Sequence, residues 1–89
     1  MQKLNETYQA HGRIFKLIKR DHFRAMYKST DGITEVFLIK NLKAANIYGK
    51  DYPDREGFPA DEDFGKIAWC YSSNDDLAEK KYESLIEPE

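Results

Sequence analysis

The sequence predicts an α+β domain: a small antiparallel sheet of four to five strands, a β-meander, with one C-terminal helix packed on one face. Three observations carry this. Residues 13–39 hold three runs rich in β-branched and aromatic residues, RIFKLIK, HFRAMYK and ITEVFLIK, separated by short polar turns. The pair Asp31-Gly32 stands between the second and third runs, a strong hairpin signal. After Ser72-Ser73-Asn74, apolar residues recur at helical spacing as far as Ile86.

Residues 1–11 show no clear period and read as a frayed start or a short leading strand. A two-residue type I′ turn at Asp31-Gly32 then sets a register. It places Lys28 opposite Glu35, Met26 opposite Phe37 and Arg24 opposite Ile39, with Tyr27 against Val36 and Ala25 against Leu38 on the other face. The Lys28–Glu35 pair is worth about 0.2–1 kcal/mol. With a similar turn at Arg20-Asp21, one face carries Phe15, Leu17, Met26, Phe37 and Ile39. The other face carries Ile14, Ile18, Phe23, Tyr27, Val36 and Leu38. Both faces are apolar, so each requires a cover.

The helix supplies one. Ser73 is the expected N-cap with Asp76 in the capping-box position, and Asp75 and Asp76 suit the positive end of the helix dipole. Leu77, Ala78, Lys81, Tyr82, Leu85 and Ile86 share a stripe, on which Leu77 and Leu85 are expected to be essential; Pro88 discourages continuation. The second face is left to residues 41–65, a long charged loop, or to another molecule. Residues 45–50 read as a short strand and 66–71, KIAWCY, as a longer one. Between them, DYPDREGFPADEDFG combines two prolines with seven charged residues.

Eighty-nine residues make one domain, 1–89, and 40% apolar residues with twelve aromatics exclude simple disorder. No apolar run reaches the roughly 18 residues of a membrane span, so no membrane is expected. The single cysteine, Cys70, forms no internal disulfide; it reads as a small buried hydrophobe, and the expected location is cytoplasmic. No cofactor or metal is expected. An EF-hand loop begun at Asp51 fails at Pro53, Arg55 and Glu56, and His11, His22 and Cys70 lack zinc-site spacing. Phosphate-binding glycine motifs and the hydrolase nucleophile elbow are absent, so the reading is non-enzymatic, with no catalytic residue.

Charge is unevenly distributed. Residues 1–50 hold ten Lys/Arg against four Asp/Glu; residues 51–89 hold four against twelve. The split implies either neutralisation between the halves or two binding surfaces. The leading expectation is a small protein-interaction or regulatory module. Its partner is another protein or a second copy in a homodimer, and its contact residues are Tyr52, Arg55, Phe58, Asp61 and Asp63. The alternative is a nucleic-acid binder that uses Arg13, Lys16, Arg24 and Lys28 among the meander's aromatics.

Overall fold

Turn chemistry decides how this chain lays out its sheet. The computed structural model describes residues 2–88. Strands β1 (Thr7–Ala10), β2 (Arg13–Arg20), β3 (Arg24–Ser29) and β4 (Ile33–Leu38) form an antiparallel meander, and β9 (Ala68–Ser72) adds to β4. Between β4 and β9 lie β5 (Lys40–Leu42), β6 (Ala45–Ile47), β7 (Lys50–Tyr52), β8 (Arg55–Gly57) and a 3-10 turn at Asp61–Asp63; helix α1 (Asp75–Ser84) closes the order. The α+β architecture read from the sequence is the one observed. Residues 7–10 form a true strand, because His11 and Gly12 both take positive φ, 54° and 72°, and make a tight two-residue hairpin turn. Tyr48-Gly49 repeats the device between β6 and β7.

The register of the central hairpin differs from expectation by one residue. Met26 faces Val36, Tyr27 faces Glu35 and Lys28 faces Thr34. The reason is the loop, which has three residues rather than two. Gly32 alone is left-handed (φ 94°), while its N–H closes a turn on the Ser29 carbonyl at 3.2 Å. The Ser29 hydroxyl donates to Asp31 and accepts from the Ile33 N–H, so the side chains prefer this longer loop. One residue of slip turns β3 over. Tyr27 therefore joins Phe15, Leu17, Phe37 and Ile39, whereas Met26 joins Val36 beneath the helix. No Lys28–Glu35 pair forms; Lys28 reaches Asp75 instead, at 2.9 Å. The first turn is also longer than two residues: Asp21 accepts the N–H groups of Phe23 and Arg24, both at 3.1 Å. A bulge at Ile18 then shifts the β2–β3 register, which turns Lys19 to the helix side and leaves Arg20 level with Ala25.

Each sheet face has its own cover. On the first, residues 39–64 fold over Tyr8, Phe15, Tyr27 and Phe37; the Phe58 ring lies 4.0 Å from Tyr8 and 5.5 Å from Tyr27, centroid to centroid. The segment expected as a loop is two small hairpin-like pairings, β5–β8 and β6–β7, and the chain start is tied to it through Gln2, which bonds across to β8. On the second face, α1 packs Ala78 and Tyr82 against Met26 and Val36. The cap is Asn74, whose side chain accepts the Leu77 N–H, not Ser73, which adopts φ 54°. Leu77 and Ile86 are exposed, because the buried stripe runs through Ala78, Tyr82 and the half-buried Leu85. Cations complete this side: Arg24 and Lys19 lie over the Tyr82 ring at 4.3 and 4.5 Å, and Lys81 over Trp69 at 3.8 Å. Among the described residues, no helix is long and apolar enough to cross a membrane.

Candidate functional site

The cover over the first face is incomplete. At the end of the sheet nearest the β1–β2 turn, a cleft of about 430 Å³ remains, with Phe15, Ile33 and Phe64 as apolar walls. Strand alternation brings Glu35 of β4 and Cys70 of β9 side by side on this face, since the two are direct cross-strand partners. Glu35 forms the floor and is 3% exposed. Its Oε1 accepts the Tyr8 hydroxyl. Burial pushes the Glu35 carboxyl above the usual carboxylate range, and burial together with the adjacent Glu35 pushes the Tyr8 phenol up. Among the described residues Oε2 accepts no hydrogen bond, and no wholly buried side-chain oxygen is left without a partner. Oε2 therefore keeps some accessible surface, in a residue that lines the cleft.

At the mouth, His11 Nε2 lies 3.4 Å from Asp61 Oδ1. Arg13 also lines the cleft, but its Nε donates to Asp31 Oδ2 at 2.8 Å. Cys70 is exposed rather than buried, because β9 is an edge strand and, among the described residues, the covering segment reaches it only at Ala68, through Phe64. No hydrogen bond links His11 to Cys70 among the described residues, and no three His, Cys, Asp or Glu side chains there are grouped to hold a metal ion. The cleft combines apolar walls with one buried carboxyl on its floor.

Beside it runs an open backbone. In β9, Ser73 N–H donates to the Gly32 carbonyl and Leu38 N–H to that of Ile67, which fixes the alternation of the ladder. Trp69 and Tyr71 turn their backbone groups toward β4; Cys70 and Ser72 turn theirs outward. On that outer side the only pairing among the described residues is at Ala68, with Phe64 and Gly65.

The residues singled out in the sequence are scattered. Tyr52 is half-buried, with Lys50 and Arg55 over its ring at 5.4 and 5.1 Å. Phe58 is committed to the core, and Asp63 is held by Lys40 Nζ at 2.9 Å and by the Ala60 N–H at 2.7 Å. Asp61 alone of the five borders the cleft. Of the meander's cations, Arg13 is paired with Asp31, Arg24 with Asp21 at 2.7 Å and Lys28 with Asp75, leaving Lys16 exposed. Sequence reasoning missed Glu35 as a site residue. Its signal was present: a carboxylate in a strand apolar on both sides must lie under a cover whichever face it takes. The chain matches no protein-family model, no curated protein and no solved structure.

Proposed function

We propose that the protein is a small non-enzymatic interaction module that captures an extended segment of a partner protein on the free edge of β9. The observation that carries this is the outward row of backbone groups at Cys70 and Ser72, set beside an open cleft. An added strand satisfies that row by main-chain hydrogen bonds, while a neighbouring pocket reads alternate side chains. The edge sequence Ala-Trp-Cys-Tyr-Ser has no lysine or proline to block such pairing. The pairing of Arg13, Arg24 and Lys28 with carboxylates leaves the nucleic-acid alternative without an open basic patch.

The test is selection of binders from a random peptide library on the folded chain, followed by mapping of amide NMR shifts. Selected peptides are expected to perturb Trp69–Ser72 and the cleft. Cys70→Pro removes only an outward N–H, which an edge strand tolerates; it is expected to keep the fold and lose binding. Peptides that map instead to Tyr52 and Arg55, or that bind the proline variant equally well, overturn the reading.

A further inference from the structure

The cleft bears on what the captured segment contains. Resting on the edge-strand reading above, we propose that the residue facing Cys70 in that segment is an arginine or lysine whose charged end reaches Glu35 on the cleft floor. A residue paired with Cys70 across the free edge shares its face, and that face is the cleft side. From the added strand to β4 is two strand spacings, about 9.5 Å, a distance suited to the longest side chains. Cys70 stands between them and is small enough to let a long chain pass over it. Phe64 and Ile33 flank the path and suit a methylene stem.

The charge pattern agrees. Glu35 Oε2 is the unengaged acceptor, the positive charge of Arg13 is already matched by Asp31, and His11 at the mouth stands against Asp61. A cation arriving there meets a buried carboxyl with one oxygen vacant, where a charge-assisted hydrogen bond is stronger than in water. A second copy fits less well. Antiparallel pairing of two β9 strands about Cys70 sets Ala-Trp-Cys-Tyr-Ser against itself and brings no cation to Glu35.

Two kinds of probe separate the cleft from the edge in the full chain. n-Butylguanidinium and the neutral n-pentanol examine the cleft without a strand. The peptides Ac-Thr-Val-Arg-Val-Thr-NH2 and Ac-Thr-Val-Gln-Val-Thr-NH2 examine both together. Butylguanidinium is expected to shift the amides of Ile33, Glu35 and Phe64, and pentanol to leave them in place. The arginine peptide is expected to bind about ten-fold more tightly than the glutamine peptide. Glu35→Gln, which keeps an acceptor for Tyr8, is expected to erase that difference with an unchanged circular dichroism spectrum. Equal binding of both peptides along β9 overturns the basic-residue inference and leaves the edge reading standing. Butylguanidinium in the cleft with no peptide on β9 overturns the edge reading instead. Concentration-dependent shifts of β9 without any peptide overturn both in favour of a second copy.

Discussion

Arg20 and Glu56, thirty-six residues apart, meet as a two-pronged ion pair: Nη1 donates to Oε1 at 2.6 Å and Nη2 to Oε2 at 2.7 Å. The Glu56 side chain is 2% exposed and also accepts the Leu4 N–H at 2.9 Å. Three parts of the chain, the start, β2 and β8, are thereby tied at one carboxylate. The bulge at Ile18 makes this possible, since it sets which side of the sheet Arg20 takes. Lys28–Asp75, Lys19–Glu79 and Lys40–Asp63 likewise join the basic half of the sequence to the acidic half. The uneven charge distribution is largely an internal pairing scheme.

Removing Glu56 leaves the largely covered Arg20 guanidinium, 21% exposed, without its carboxylate. Glu56→Ala is expected to cost about 3 kcal/mol in urea unfolding at neutral pH. The Arg20 hydrogen bonds, with help from the Leu4 N–H, hold the Glu56 carboxyl down to about 2. A depressed folded-state value means that the stabilisation is complete above the unfolded value near 4.5 and is lost as pH falls toward 2. Urea midpoints measured down this range should converge for the two proteins. A constant gap at every pH would show that the side chain acts by packing alone.

Glu35 has the opposite sign. Burial raises its folded-state value, so the folded form favours the protonated carboxyl. That preference helps folding at pH below the unfolded value and is lost as pH rises through the folded one, above which the buried charge is a net cost. Glu35→Gln is therefore expected to raise the melting temperature at pH 7 and to have little effect at pH 4. A variant less stable than the parent at pH 7 would mean that the ionised carboxyl has a stabilising partner.

The strands were legible because β-branched and aromatic runs mark them whatever their register. The register was not, because it turned on whether Asp31 or only Gly32 is left-handed, and the Ser29 hydroxyl decided that. From that single residue followed the displacement of Tyr27 and Met26 and the burial of Glu35 away from Lys28. The His11-Gly12 and Tyr48-Gly49 turns were readable in principle: each pairs a glycine with a residue driven to positive φ by the strands on either side. The cleft was not readable, because it arises from where residues 39–64 stop, and no local pattern encodes that.

The helix offers a sharper test than apolar content suggests. Leu77 is 48% exposed and Tyr82 5% exposed, although both belong to the apolar stripe of the sequence. Leu77→Asp is expected to change stability by no more than about 0.5 kcal/mol, as surface substitutions do. Tyr82→Ala removes a buried ring together with the faces over which Arg24 and Lys19 lie, and is expected to cost about 3 kcal/mol or more. Chemical denaturation of both variants checks the difference. Unfolding of the Leu77 variant would restore the stripe expected from sequence and displace the observed helix rotation.

Self-association is a question that the covers of the two sheet faces sharpen. Two apolar sheet faces with one helix argue for a second copy over the uncovered face. In the folded chain, Phe58 and Phe64 cover much of that face, and what remains open is the cleft with its buried carboxyl. A homodimer through this face has to seat an apolar group beside Glu35 Oε2, which strips the carboxyl of water without supplying a donor. Pairing through β9 meets the same objection, since its own sequence supplies no cation. Light scattering at tens of micromolar is therefore expected to give the mass of one chain. A dimer at that concentration, abolished by Cys70→Pro, would mean that the edge of β9 is already occupied by a second copy rather than kept free for a partner.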